Sequence, residues 1–215
     1  MKSIVAYRFG LDFDSSRPDP TAVLAAAGDW LRTAEATGQA RVSDPVLLRH
    51  LLWCAVDRGL PIQLHTGFGD PDLDLRRADP ALAREFLASC GVPVVLLHCY
   101  PFHRNAGFLA QAYPNVYVDV GLMVNYTGAR ASAVLAETLE LAPFGKVLYS
   151  SDAYGLPELV YLGAQLWRQA MTEVLGGWVA AGHWTEPDAI RVAGLIGAGN
   201  AARLYGLNDA DADAQ

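Results

Sequence analysis

Two histidines and an aspartate stand at the ends of three short apolar runs. The first is Pro61-Ile62-Gln63-Leu64-His65-Thr66-Gly67, the second Pro93-Val94-Val95-Leu96-Leu97-His98-Cys99, and the third Lys146-Val147-Leu148-Tyr149-Ser150-Ser151-Asp152. Imidazoles and carboxylates ligate zinc and similar divalent ions. A carboxylate beside such an ion can also take a proton from an attacking water. Each residue has a plainer reading when taken alone. His65 would be a strand-end histidine bonded to a backbone carbonyl, His98 a hydrogen-bonded core histidine, and Asp152 a cap for a helix starting at Pro157-Glu158. The matched placement of all three favours chemistry over structure.

Convergence requires parallel strands, because only then do their C-terminal ends share one rim. The elements supply that arrangement. Strand-like runs at Ser3 to Arg8 and near 61–66, 93–99, 115–120 and 146–151 alternate with helical patterns. This β-α alternation predicts a parallel sheet. Asp19-Pro20, Asp44-Pro45 and Asp79-Pro80 each pair a side-chain cap with a residue that has no first-turn N–H to satisfy, so each predicts a helix start. Val23, Leu24, Ala27, Trp30, Leu31 and Ala34 form an apolar stripe behind the first. Further helices are expected at 103–112, at 129–141, from 157 to a stop at Gly176-Gly177, and from Thr185 to about Leu204. About five strands result, fewer than the eight of a closed barrel.

Composition narrows the function. The 215 residues are 52% hydrophobic and 18% charged, with a formal net charge of −7. Strands buried on both faces fit that apolar balance. An acidic chain without a basic patch gives no support for nucleic-acid binding. No polybasic or membrane-spanning stretch occurs. Neither the Gly-rich dinucleotide fingerprint nor the P-loop is present. Cys54, Cys90 and Cys99 are few and set among apolar residues, which reads as core packing in a reducing, cytoplasmic setting. Residues 1–207 are expected to form one α/β domain, followed by an acidic, frayed tail at 208–215.

The motifs, in order, carry a family resemblance. Gln63-Leu64-His65-Thr66-Gly67-Phe68-Gly69-Asp70, Leu97-His98-Cys99-Tyr100-Pro101-Phe102, Tyr149-Ser150-Ser151-Asp152-Ala153 and Gly199-Asn200-Ala201-Ala202-Arg203-Leu204-Tyr205-Gly206 together resemble the amidohydrolase-related family, in its FluG-like branch. The resemblance implies a distorted TIM-like (β/α)8 barrel that performs metal-dependent hydrolysis or, in some members, decarboxylation. It implies that His65, His98 and Asp152 end strands five, six and eight, with Lys2 at the end of strand four. The family's His-x-His pair of strand one has no counterpart among His50, His65, His98, His103 and His183. The chain therefore resembles the back portion of such a barrel, lacking about the first three strands.

The expected site follows from these readings. His65, His98 and Asp152 are the metal ligands, with zinc first and manganese or iron as alternatives. Asp152 is also the general base. His98 is either a second-metal ligand or a proton donor and carbonyl polariser, the latter for a one-metal site. The resemblance has Lys2 bridge two metals as a carbamate or meet a substrate carboxylate as a cation, with a solvated lysine as the alternative, and Arg8 either clamps an anionic substrate or lies on the surface. Tyr100 and His103 are placed at the mouth as substrate contacts, with aromatic core packing as the alternative for Tyr100 and a polar helix start for His103. The substrate is small and anionic in this reading. A decarboxylase on the same scaffold is the runner-up, and a non-catalytic remnant the third reading. Open sheet edges and uncovered apolar faces lead to an expected homo-oligomer or complementing chain, and an incomplete ligand set leads to weak metal binding.

Overall fold

The computed structural model describes residues 1–207; the acidic segment 208–215 lies outside the described residues. Five strands form one open sheet in chain order: β1 (Lys2–Ser3), β2 (Ile62–Thr66), β3 (Val94–His98), β4 (Val116–Asp119) and β5 (Val147–Leu148). Every neighbouring pair is parallel. Parallel neighbours cannot be joined by a tight turn, so each connection carries helix.

Those helices begin where the Asp-Pro pairs predict. After α1 (Val5–Arg8), the carboxylate of Asp19 accepts from the Thr21 and Ala22 amides at 2.8 and 3.3 Å to open α2 (Pro20–Thr37). Asp44 opens α3 (Pro45–Asp57) in the same way. Asp79-Pro80 starts a 3-10 turn, Pro80–Ala83, which continues as α4 (Arg84–Ser89). Tight first turns of this kind are common at helix starts. Beyond β3 come α5 (His103–Ala112), α6 (Met123–Thr127), α7 (Ala131–Leu139), α8 (Pro157–Ala180), α9 (Glu186–Gly194) and α10 (Asn200–Tyr205).

Four expectations need correction. The run Ser3 to Arg8 leaves the sheet after Ser3, and Val5 and Ala6 bury side by side in α1. Alternating strand geometry would have sent them to opposite faces. The run toward Ser151 is a strand only at Val147–Leu148. Its ladder ends where the Val120 amide donates to the Leu148 carbonyl at 3.0 Å. Gly176-Gly177 does not stop α8. Val174, Leu175, Trp178 and Val179 pack the core on either side of the pair, outweighing a helix penalty of about 1 kcal/mol per glycine. Finally, α2 buries no residue, and Leu24 and Leu31 of its stripe lie exposed.

Both faces of the sheet are covered, which explains its unbroken apolar strands. Ile62, Leu64, Val94, Leu96, Val116 and Val118 join α1, α3, α4 and α5 in the main core. Val95, Leu97 and Leu148 face the other way, against Ala201 and Leu204 of α10. A second core forms around Val147 beneath α6, α7, α8 and α9.

Candidate active site

His65 lies inside β2, 2% exposed, and its ring centroid is 4.7 Å from that of His98. Their registers are not matched: Thr66, not His65, pairs with His98. Alternation along β3 would send His98 to the face of Leu96, away from His65. Instead the backbone turns left-handed at His98 (φ 69°) and Cys99 (φ 65°), and the two rings meet. Non-glycine residues with such angles are uncommon and concentrate at functional sites. Asp152 is left-handed as well (φ 46°). It lies in the loop after β5, not at a strand end, and its Oδ2 stands 3.7 Å from His98 Nε2. The structure thus brings His65 to His98 and His98 to Asp152 by a loop turn and left-handed residues, in addition to parallel strands.

Burial sets the electrostatics. Desolvation first, then His98 and Lys2, pushes the His65 imidazole down to about 3. Desolvation and then Lys2 push His98 down to about 4. Burial therefore favours the neutral form of both rings near pH 7. Two ring nitrogens, His65 Nε2 and His98 Nδ1, are buried without a hydrogen-bond partner. Such groups are rare in folded chains. Cys99 is fully buried beside Thr66, with its thiol pushed up to about 12 by desolvation, so it packs rather than reacts.

The remaining expected residues take varied places. Lys2, exposed at the end of the chain, is close enough to depress both imidazoles. Arg8 sits in α1 with Asp72 at 3.9 Å, so its charge is already faced by a carboxylate. His103 is buried at the start of α5, its Nε2 2.7 Å from Glu137 Oε2, and Tyr100 stacks on it with centroids 5.6 Å apart. Both line a cavity of about 540 Å³ with Phe68, Tyr126, Arg130 and Glu137. His65, His98 and Asp152 are not in its wall, but backbone bonds tie wall to centre. The Phe68 amide donates to Tyr100 O at 2.7 Å, and the Tyr100 amide to His98 O at 2.8 Å. Gly67 permits this closeness: it is left-handed (φ 71°), and a Cβ there would meet the Cys99 and Tyr100 backbone.

Two residues escaped the sequence reading. Asp119 ends β4 with a buried carboxyl, raised to about 6 mainly by desolvation. Its run, Val116-Tyr117-Val118-Asp119, shows the same apolar-then-polar pattern as the other three, and that signal could have found it. Tyr7 of α1 lies over His65 at 4.1 Å between centroids. No signal pointed to it, because its run reads as a strand.

The donors suit a divalent ion in type. Neutral, buried, unpartnered imidazole nitrogens are what such an ion coordinates. Their number falls short: among the described residues, no three His, Cys, Asp or Glu side chains stand together as a ligand set. His65 and His98 fit as two donors of a larger set.

A family model for amidohydrolases matches residues 5–207. Protein fluG of Emericella nidulans is 34% identical over 220 residues, covering 97% of this chain and 25% of that protein. The crystal structure of a "putative metal-dependent hydrolase" from Lactobacillus casei superposes with a TM-score of 0.83 at 32% identity, covering 97% of this chain and 55% of the other. Uronate isomerase from Thermotoga maritima shares the fold at a TM-score of 0.61 and 16% identity, over 88% of this chain and 46% of the other. The chain thus spans a quarter of the curated relative and about half of each solved structure. The open parallel sheet is a partial TIM-like barrel of that type, and its C-terminal rim, where such barrels keep their active sites, carries His65, His98 and Asp152. Among the described residues no helix is long and apolar enough to cross a membrane.

Proposed function

This chain belongs to the amidohydrolase family, and from that premise we propose that its site serves metal-dependent hydrolysis of an amide, ester or related bond in a small anionic substrate. The observation that carries the reading is the pair of buried, unpartnered ring nitrogens on two touching neutral imidazoles, His65 and His98, with Asp152 beside them. His65 and His98 would hold the ion, and Asp152 would join them or act alone as base. A divalent ion bound there supplies Lewis-acid polarisation of the scissile carbonyl.

The chain's own groups divide the other tasks. Asp152 Oδ2 accepts the proton of the attacking water; its side chain is 44% exposed, so water reaches it. If His65 holds the ion without His98, neutral His98 can instead donate an N–H hydrogen bond to a carbonyl oxygen without changing charge. The neighbouring cavity holds the substrate's body against Phe68, Tyr100 and Tyr126. Arg130 offers it a cation. Glu137 is already engaged by His103, and lies 3.9 Å from Arg130.

The test is calorimetric titration of the purified chain with Zn²⁺ and Mn²⁺, alongside the His65→Ala and His98→Ala variants. Either substitution should weaken binding by at least about tenfold. Binding that ignores both substitutions would sink the reading. Turnover is then followed on amide, ester and lactam substrates bearing a carboxylate, with carbon dioxide measured in the same vessel. Carbon dioxide as product would replace hydrolysis by decarboxylation.

A further inference from the structure

We propose that Asp119 is the positioning residue of this site: a single buried carboxylate oxygen that sets His98 and Asp152 relative to one another. The proposal rests on the hydrolytic reading above. Asp119 Oδ1 accepts two bonds, one from the Gly121 amide at 2.6 Å and one from the Ser150 hydroxyl at 3.0 Å. Each leads to a different member of the site. The Gly121 backbone lies near enough to the His98 ring to offset part of its desolvation. Ser150 lies two residues before Asp152, in the loop that follows the two-residue strand β5.

That loop has few other ties. The ladder ends at Leu148, and of the next residues Ser151 is held by Asn125 Nδ2, which donates to its carbonyl at 2.7 Å. Without the Asp119–Ser150 bond, nothing at Ser150 would fix the approach to the left-handed residue Asp152. The packing is built around this link. A Cβ at Gly121 would stand 2.5 Å from Asp119 Oδ1 and 2.5 Å from the Ser150 carbonyl, so the contact demands glycine. Cys99, which follows His98, closes the other side, its Sγ 4.0 Å from the Asp119 carbonyl. One oxygen therefore sits at the junction of the β3, β4 and β5 ends. The same oxygen takes both bonds, so an asparagine could reproduce them and an alanine could not.

The experiment compares wild type with Asp119→Asn, Asp119→Ala and Ser150→Ala. The first readout needs no ion: the imidazole signals of His98 in ¹⁵N-edited NMR spectra, assigned by their loss in His98→Gln. Asp119→Ala should shift them and Asp119→Asn should leave them in place. The second is titration with Co²⁺ alone, read by visible absorption. Asp119→Ala should lose at least about tenfold in affinity and Ser150→Ala a smaller factor, while Asp119→Asn stays within about threefold of wild type. If Asp119→Ala fails to fold by circular dichroism, Ser150→Ala carries the comparison against Asp119→Asn. An asparagine variant as impaired as alanine would make Asp119 a direct donor and overturn the proposal. Unmoved His98 signals in both Asp119→Ala and Ser150→Ala would leave it a core residue and do the same. Failure of the hydrolytic reading looks different: His65→Ala and His98→Ala would bind Co²⁺ like wild type, whatever the NMR of the Asp119 variants shows.

Discussion

His98 Nε2 stands 3.7 Å from Asp152 Oδ2, with the imidazole almost wholly buried and the carboxylate 44% exposed. A neutral ring and an anionic carboxylate at that distance form a weak contact, not a committed ion pair. The carboxylate is thereby left available to a water on its solvent side. Removing its charge should affect chemistry far more than folding. Asp152→Asn is expected to lower turnover by about 10²- to 10⁴-fold, with a melting temperature within about 2 °C of wild type. Steady-state kinetics and a thermal melt check this together. Turnover retained within a few-fold would remove Asp152 as the base.

The two depressed imidazoles make the metal-free fold sensitive to acid. The folded-state value of His65, about 3, lies below its ordinary 6.5. The unfolded chain therefore takes up a proton that the folded chain refuses. The stability from neutral His65 is fully present above about pH 6.5 and is lost as pH falls toward 3, by up to about 4 kcal/mol. His98, at about 4, adds to the same limb. Asp119 acts oppositely: its folded value of about 6 lies above the ordinary 3.8, so it favours the folded state below about pH 4 and loses that contribution as pH rises through 6. Urea unfolding of the metal-free chain between pH 4 and 7 should show stability rising with pH, a slope flattened in His65→Gln and steepened in Asp119→Asn. The same slope in His65→Gln as in wild type would contradict this.

How legible the fold was depended on how local its causes are. The Asp-Pro starts at Asp19, Asp44 and Asp79 were readable because a cap and its amides lie within three residues. The strand runs ending near His65 and His98 were readable because burial on both faces leaves an unbroken apolar string. Arg8 shows the limit. Its segment has strand-like composition, but its conformation is set by what lies on β2, distant in sequence. The site divided likewise. Residue type pointed to His65, His98 and Asp152, yet no spacing rule contains the left-handed backbone at His98 and Asp152. Asp119 is legible in type, as the polar end of a fourth apolar run, but its contact with Ser150 joins residues far apart in the chain.

Asn200 should prove a structural pin rather than part of the chemistry. It is fully buried at the start of α10, and its Nδ2 donates to the Phe144 and Val147 carbonyls, each at 2.7 Å. These bonds hold α10 against β5 and its preceding 3-10 turn. Asn200→Ala would strand two carbonyls away from water, a loss of about 2–4 kcal/mol. Denaturant unfolding measures it directly. A change below about 0.5 kcal/mol would mean that other donors replace the amide.

A run of exposed apolar side chains follows the Asp152 loop. Tyr154, Leu156, Val160 and Tyr161 are 92%, 62%, 53% and 68% exposed. Patches of this kind mark association surfaces. We expect the chain to self-associate at micromolar concentration, and Leu156→Glu combined with Tyr161→Lys to shift it toward monomer in light scattering. A wild-type chain that is monomeric under the same conditions would remove this surface as an association site.

The cavity beside the imidazoles should discriminate by charge. Its rings Phe68, Tyr100 and Tyr126 offer flat apolar walls, and they meet one another edge-on, with Phe68 5.2 Å from Tyr126 and 6.1 Å from Tyr100. Arg130 is 73% exposed, and its nearest carboxylate, that of Glu137 at 3.9 Å, is shared with His103 and Arg104. His103 first, then these guanidiniums, holds Glu137 below its ordinary value, so it remains anionic and spent on partners it already has. A ligand carboxylate would then find Arg130 the most available cation. Arg130→Gln should raise KM for carboxylate-bearing substrates by about three- to tenfold, the scale of one charge-assisted bond at a solvent-open site, and leave kcat and neutral analogues nearly unchanged. Equal effects on charged and neutral substrates would show that the arginine shapes the wall without reading charge.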